Sequence, residues 1–416
     1  MAREYKDSGI EWIGQIPKEW EVCPHKHIMF KKKEIQEHYA GQDIISLTMN
    51  GVVVRDLDAG GKMPLSFDGY QIIYPNNLLL CLFDIDVTPR CVGLINNYGV
   101  TSPAYSQFVV KEKGYPPYYD YLLRYMDDHK CLLHLSKNLR SSLTETDFGQ
   151  IKTCIPPYTE QQKIADYLDK VCGEADEMLA LQEKMIEELK AYKQSIITEA
   201  VTKGLNPNVP MKNSGIDWIG EIPEHWKVIR IKYLLKERKE RSVNGVEEPL
   251  SMSQKYGLIP TKDMEMIPNM ASSFVGAKLV YKNDLVFNKL KAHLGVFAVS
   301  DYEGLVSPDY AVYSSTSIVN EKYLEYLFKT PQYIGEFIKL SSGVGAGLTR
   351  LYTSDLYSIN GIVPPIEEQN AIVSFINTKC SEIDSLIAIK QQKITELKEY
   401  KKSIIYEYVT GKKEVV

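Results

Sequence analysis

Residues 155–202 read IPPYTEQQKIADYLDKVCGEADEMLALQEKMIEELKAYKQSIITEAVT, and residues 363–410 read VPPIEEQNAIVSFINTKCSEIDSLIAIKQQKITELKEYKKSIIYEYVT. At this shift of 208 residues, 21 of 48 positions are identical. In the first copy Ile164, Leu168, Val171, Ala175, Met178, Gln182, Met185, Leu189, Tyr192 and Ile196 alternate steps of four and three, the spacing of a coiled-coil seam. The second copy repeats it as Ile372, Ile376, Lys379, Ile383, Leu386, Lys390, Lys393, Leu397, Tyr400 and Ile404, with Phe375, Cys380, Ile387 and Ile394 widening the apolar stripe. Pro156-Pro157 and Pro364-Pro365 suit helix entrances, and Thr159 with Gln162 has the spacing of a capping box. Each copy is expected to form a helix of roughly 44 residues, about 66 Å long at 1.5 Å per residue. A helix of that length needs a partner along its course, and the other copy is the obvious one.

A second repeat precedes each helix. Lys6 to Val22 (KDSGIEWIGQIPKEWEV) matches Lys212 to Val228 (KNSGIDWIGEIPEHWKV) at 11 of 17 positions. All four tryptophans of the chain, Trp12, Trp20, Trp218 and Trp226, lie in these two segments. Large aromatics used so sparingly are usually packing anchors, so both segments read as docking segments, with an exposed partner-binding hot spot as the alternative. The chain of 416 residues thus runs as body, long helix, body, long helix, divided at residues 1–155, 156–205, 206–362 and 363–416. The Gly204-Leu205-Asn206-Pro207-Asn208 run breaks the first helix.

Each body mixes strand-like runs with shorter helical ones, which makes the class α+β. In the first body these are Ile44 to Leu47, Gly51 to Arg55 after an Asn50-Gly51 turn, Leu78 to Phe83, Cys91 to Ile95 and a helical Tyr118 to Tyr125. In the second they are Lys278 to Tyr281, Leu285 to Phe287, Gly295 to Val299 and a helical Glu321 to Lys329. Both bodies carry Ser-Pro-x-Tyr, at Ser102-Pro103-Ala104-Tyr105 and Ser307-Pro308-Asp309-Tyr310, as diverged copies of one domain would.

The paired Ser-Gly-Ile-x-Trp-Ile-Gly-x-Ile-Pro segments, the Pro-Pro then Glu-Gln helix entrances, the tandem order and the Ser-Ile-Ile helix endings together resemble the specificity subunit of a type I DNA restriction-modification enzyme. The resemblance covers essentially the whole chain. It implies two target recognition domains, each reading one half of a bipartite, gapped DNA site, on two long antiparallel coiled-coil helices with pseudo-two-fold symmetry. The helices would set the distance between half-sites and seat the partners. Those partners would be two modification (methyltransferase) subunits, which methylate adenine with S-adenosylmethionine, and two restriction (translocase/endonuclease) subunits, which use ATP and Mg. This chain would bind none of these cofactors and would only choose the site.

Several fragments imitate catalytic motifs, and each fails on chemistry. Amino-methyltransferases place Asp, Asn or Ser before Pro-Pro-Tyr so that a side-chain oxygen accepts from the target amine, whereas Ile155 and Val363 have no such oxygen. Gly343-Val344-Gly345-Ala346-Gly347 follows the helical Glu336 to Leu340 instead of a strand, unlike a phosphate-cradling turn. Glu188-Leu189-Lys190 lies on the solvated side of a charged helix. Seven cysteines without a Cys-x-x-Cys pair fit reduced thiols and no metal site. No run reaches the roughly 20 apolar residues of a membrane span, the amino terminus has no signal-peptide pattern, and a cytoplasmic protein is expected. The competing readings are a self-contained methyltransferase or nuclease, and a coiled-coil adaptor without sequence preference.

The net charge of −5 lacks the basic excess of a free-standing DNA binder. The first body holds 17 basic and 19 acidic residues and the second 18 and 17, so DNA contact must come from local basic faces and from partners. Base readout needs directional donors and acceptors, and three stretches supply them. The first, Lys137-Asn138-Leu139-Arg140-Ser141-Ser142, yields the candidates Lys137, Asn138, Arg140 and Ser142. The equivalent place in the second body, Ser341 to Arg350, yields Ser342, Thr349 and Arg350. The third, Asn288 to His293, yields Lys289, Lys291 and His293, with Asp84 to Arg90 as its counterpart in the first body.

Overall fold

The computed structural model describes residues 3–58, 64–136, 141–253, 256–266, 273–343 and 349–415. It divides into two compact units, residues 1–183 with 391–416 and residues 184–390, so each unit holds one body and a part of both long helices. Each unit is α+β, and among the described residues no helix is long and apolar enough to cross a membrane.

In the first unit the central sheet is antiparallel, in the order Met29–Lys32, Ser106–Val110, Leu78–Leu80, Val92–Leu94. The continuous apolar run at its centre follows from burial on both faces. Leu78 and Leu80 enter the main core, and Leu79 points oppositely into a smaller cluster with Ile45, Ile73 and Ile95. That smaller cluster is closed by two ribbons, Ile45–Thr48 with Gly51–Val54 and Gln71–Ile73 with Gly99–Thr101. The first turns at Met49 and Asn50, one residue ahead of the expected Asn50-Gly51 pair, and Gly51 takes φ +100° as the opening strand residue. Helix Pro116–Asp128 packs Tyr118, Tyr119, Leu122, Leu123 and Met126 against the sheet.

The second unit repeats this plan strand for strand, in the order Leu235–Glu237, Tyr310–Ser315, Leu285–Asn288, Phe297–Val299. Leu285 and Phe287 face an aromatic core with Phe297, Phe328 and Phe337, while Val286 joins Leu250, Leu258, Val280, Val306 and Val312 behind the sheet. The ribbons recur as Leu250–Ser253 with Gly257–Pro260 and Lys278–Val280 with Gly304–Val306. Gly99 and Gly304 occupy the same place, where a Cβ would overlap the carbonyl oxygens of Asp43 and Glu248. The helical Glu336 to Leu340 lies in helix Pro331–Leu340.

The long helices are Tyr158–Lys203 and Ile366–Val409. Within the first unit Tyr167 meets Tyr408 with ring centroids 4.5 Å apart, and Asp176 meets Lys401 at 2.5 Å, so later residues of one helix face earlier residues of the other. The second unit shows the same antiparallel sense, with Lys193 on Asp384 at 2.7 Å and Gly204 beside Glu368. The expected seam holds at every second position, and of the remaining ones Ile164 and Ile372 are buried and Val171 and Met185 half-buried. The line most withdrawn from solvent runs through the buried Leu168, Cys172, Ala175, Gln182, Ile186 and Ala200 and the half-buried Leu179, Leu189, Lys193 and Ile196, and Met178 and Tyr192 are exposed. In the second helix Ile376, Ile383 and Ile404 are buried and Cys380, Ile387, Lys390, Ile394, Leu397, Lys401 and Tyr408 half-buried, while Leu386, Lys393 and Tyr400 are exposed. The alternation of four and three survives, with its intermediate positions moved one residue onward in both helices. Cys380, Ile387 and Ile394, read from the sequence as the widening of the stripe, form the line itself. Lys193 and Lys401 stay in that line because their stems pack while their ammonium groups reach an aspartate.

The helix entrances explain the repeated Glu-Gln pair. Gln161 is fully buried; its Nε2 donates to the carbonyls of Pro156 at 2.9 Å and Lys113 at 3.0 Å, and its Oε1 accepts from Tyr115 N at 2.7 Å. Gln369, also fully buried, repeats all three bonds with Pro364 at 2.8 Å, Ile318 at 3.0 Å and Asn320 N at 2.8 Å. The capping box expected at Thr159 and Gln162 does not form. The carbonyl of Pro157 accepts from Glu160 N and Gln161 N, so the proline starts the helix early and Thr159 falls inside the first turn. A capping box forms instead at Thr144 with Asp147, ahead of helix Glu145–Gln150.

Trp20 and Trp226 are fully buried, as packing anchors should be. Trp20 donates to Glu160 at 3.0 Å, whereas the indole nitrogen of Trp226 is buried without a partner among the described residues. Each docking segment closes on the end of a long helix in its own unit. Lys412 Nζ donates to the carbonyl of Ile13 at 2.8 Å, and Tyr118 donates to Val409 O at 2.9 Å. Tyr323 makes the corresponding bond to Val201 O at 3.0 Å.

Candidate nucleic-acid interface

Two of the three candidate stretches converge in the second body. The central strand Leu285–Asn288 ends in a turn where Asn288 Oδ1 accepts from Leu290 N at 3.2 Å, followed by a short 3₁₀ turn Ala292–Leu294. Leu351 N donates to the carbonyl of Lys289 at 3.0 Å, which draws the segment after Arg350 onto this turn. Thr349 Oγ1 lies 3.4 Å from His293 Nδ1. Ser342–Gly343 pairs antiparallel with Thr349–Arg350, and Val344 to Gly347 of the glycine-rich stretch lie outside the described residues. Lys289, His293, Thr349 and Arg350 therefore share one place although up to 61 residues separate them. Lys291 and Ser342 are exposed at its margin.

Its charges are arranged in pairs. Arg350 Nη2 donates to Asp309 Oδ1 at 2.9 Å, and its buried Nε has no partner among the described residues. Lys278, nearly buried, reaches Glu237 at 3.3 Å. Burial holds the pKa of Lys289 below the usual lysine value, and the neighbouring charges of Lys278 and Arg350 push it further the same way. Sequence reasoning missed Asp309, Lys278 and Glu237. The signal for Asp309 was present in the repeated Ser-Pro-x-Tyr motif, whose variable position it fills.

In the first body Lys137, Asn138 and Arg140 lie outside the described residues. Ser142 is half-buried at the place that corresponds to Arg350. The joint recurs there: Leu143 N donates to Leu82 O at 2.8 Å and Ile85 N to Ser141 O at 3.2 Å. Its chemistry differs. Arg90, in the stretch matched to Asn288 to His293, turns its guanidinium to the carbonyls of Met49 at 2.7 Å and Val92 at 3.0 Å. Gln71, in the position of Lys278, donates to Ser102 O at 2.9 Å and Tyr105 O at 2.7 Å. Among the described residues no group of three or more His, Cys, Asp or Glu side chains could hold a metal, and the seven cysteines are free.

The chain is thus built of two repeated α+β bodies and two long helices, with a side-chain cluster at the loop joint of the second body. Residues 223–399 match the family model described as the type I restriction modification DNA specificity domain. The chain is 27% identical over 311 residues to a putative type I restriction enzyme MjaX specificity subunit of Methanocaldococcus jannaschii, covering 73% of this chain and 69% of that protein. It is 26% identical over 282 residues to the MjaVIII specificity subunit of the same organism, covering 64% of this chain and 63% of that protein. In fold it resembles a chain from a type I R-M system studied for complex assembly and conformational transition, with a TM-score of 0.70 at 13% identity over 95% of this chain and 98% of that one. It also resembles the HsdS subunit of Thermoanaerobacter tengcongensis, with a TM-score of 0.56 at 14% identity over the same shares. The resemblance drawn from the repeated motifs is thereby borne out: in sequence the chain is similar to the DNA specificity subunits of type I restriction enzymes.

Proposed function

We propose that the chain selects a bipartite, gapped DNA site, each body reading one half. The observation that carries this is the joint built twice in one chain, where the segment ahead of the last short helix is bonded to the loop after the central strand. Loops on a rigid sheet are where base-reading side chains belong, because recognition needs donors and acceptors held in fixed directions. In the second body Lys289, Lys291, His293, Ser342, Thr349 and Arg350 are the residues assigned to DNA. In the first the assignment rests on Lys137, Asn138, Arg140 and Ser142.

The partners in this reading are double-stranded DNA, two modification subunits and two restriction subunits. S-adenosylmethionine, ATP and Mg belong to those subunits, and the complex works on DNA in the cytoplasm. The small charge imbalance of the bodies supports a shared grip on DNA, since phosphate neutralisation by this chain alone would be modest. Methylation mapping of DNA from cells that carry the chain with its modification subunit tests the proposal. A two-part motif with a fixed gap is expected; a contiguous motif, or none, would overturn it. Incubation of the purified chain alone with DNA and labelled S-adenosylmethionine should transfer no label, which separates this reading from a self-contained methyltransferase.

A further inference from the structure

We infer that Asp309 is a positioning residue for base readout, holding Arg350 so that its guanidinium reads one base pair of the second half-site instead of settling on a phosphate. The inference rests on the assignment of this body to DNA recognition. Arg350 comes from a strand of only two residues, Thr349–Arg350, a support too short to orient a long flexible side chain by itself. Asp309 comes from a different element, the tight turn leading into strand Tyr310–Ser315, where Ser307 Oγ accepts from Asp309 N at 3.3 Å and Ser307 O from Tyr310 N at 3.0 Å. The strand beyond it is hydrogen-bonded to the central strand, so the carboxylate stands on the rigid part of the body.

One 2.9 Å bond from Nη2 to that carboxylate restrains the plane of the guanidinium. Nε is buried and unpartnered among the described residues, which leaves the Nη groups as the donors that an incoming base can meet. A guanine offers two acceptors to such a fork in the major groove, and a bidentate contact discriminates strongly against other bases. A mobile arginine beside a phosphodiester would instead bind every sequence alike. The carboxylate contributes twice, because its negative charge also opposes nonspecific approach of the backbone. Asp309 is 60% exposed in its side chain while Arg350 is 24% exposed, so the pair lies at the surface with the acid outermost. The first body has Ala104 at the matching position and therefore lacks the device.

The test uses the full chain assembled with its modification subunit and selection from random duplex DNA at several salt concentrations. For Asp309→Ala the preference at one base pair of the second half-site should fall about tenfold or more. Binding averaged over all sequences should hold or tighten, and the salt dependence should steepen by about one phosphate contact as Arg350 moves to the backbone. Arg350→Ala should lose the same preference without that steepening, the double variant should lose no more than Arg350→Ala, and Asp309→Glu should restore part of the preference. The first half-site should be read unchanged in every variant, which controls for folding. Full preference in Asp309→Ala, or a double variant worse than Arg350→Ala, would overturn the inference while leaving the recognition reading intact. If the unaltered assembly shows no preference at the second half-site, the recognition reading fails and the inference fails with it.

Discussion

The two bodies use one strand order and one loop joint, yet they fill the joint with opposite chemistry. Around the second body's joint stand Lys289, Arg350 on Asp309, and Lys278 on Glu237. The corresponding places of the first hold Leu82, Ser142, Ala104 and Gln71, and Arg90 is spent on carbonyl oxygens. What the copies share is the frame: Gln161 and Gln369 at the helix entrances, Trp20 and Trp226 in the cores, and Gly99 and Gly304 where a carbonyl crosses closely. The lesson is that identity between the repeats marks packing and backbone satisfaction, while the loop joint proposed to face DNA is among the places where they diverge.

The frame half of that comparison predicts the largest effects. Replacing Gln161 by Leu strands the carbonyls of Pro156 and Lys113 and the amide of Tyr115, and Gln369→Leu strands their counterparts. At about 1 to 3 kcal/mol for each buried group left unpaired, either change should cost about 3 kcal/mol or more. Urea titration of the two variants should show similar losses, each from its own unit. A large loss in one and none in the other would break the equivalence of the entrances.

A difference inside the frame should appear as pH dependence. His25 occupies the place of Ile231, is fully buried against Phe148, and makes no full hydrogen bond among the described residues; a weak contact with the Phe148 backbone does not offset desolvation, which lowers its pKa to about 4. The unfolded chain takes up a proton near pH 6.5 that the folded form refuses until about pH 4. Stability is therefore intact above about pH 6.5 and is lost as pH falls towards 4, by about 3 kcal/mol at 1.36 kcal/mol per pH unit. His25→Ile, which copies the second body, should remove this dependence. The stability difference between variant and parent, measured by denaturation at pH 7 and at pH 4.5, should change by about 2 to 3 kcal/mol.

At the joint, Arg350→Ala should cost about 1 to 3 kcal/mol of discrimination at one half-site and nothing at the other. Uniform weakening on all sequences, measured by competition binding, would recast Arg350 as a phosphate contact. The smallest effect belongs to the matched ion pairs of the helices. Lys193→Ala and Lys401→Ala remove interactions with Asp384 and Asp176 that are partly open to solvent, and each should cost less than about 1 kcal/mol in thermal or urea unfolding. Their near-equality, and loss of the difference at high salt, would sharpen the symmetry of the two helices.

The amino-acid sequence by itself determined the duplication, the helices and their partnership, because identical positions 208 residues apart and a period of seven are local properties that need no fold to be read. It also determined the anchoring role of Trp20 and Trp226 and several strands of the bodies, among them Leu78–Leu80 and Leu285–Asn288, whose apolar runs are continuous, but it left most of the short strands unread. The tertiary structure alone decided which flank of the stripe completes the seam. A heptad pattern marks a face of the helix, but Cys172, Leu179 and Ile186 were chosen over Val171, Met178 and Met185 by how the helix turns towards what it packs against. It decided the role of Gln161, two of whose partners, Tyr115 N and Lys113 O, lie in a loop 46 and 48 residues earlier, where a capping rule based on neighbours could not look. It also decided the pairing of Arg350 with Asp309 across 41 residues. Residue type announced a cation suited to DNA, but the carboxylate that orients it stands on another strand, and only the closure of the sheet brings the two within hydrogen-bonding distance.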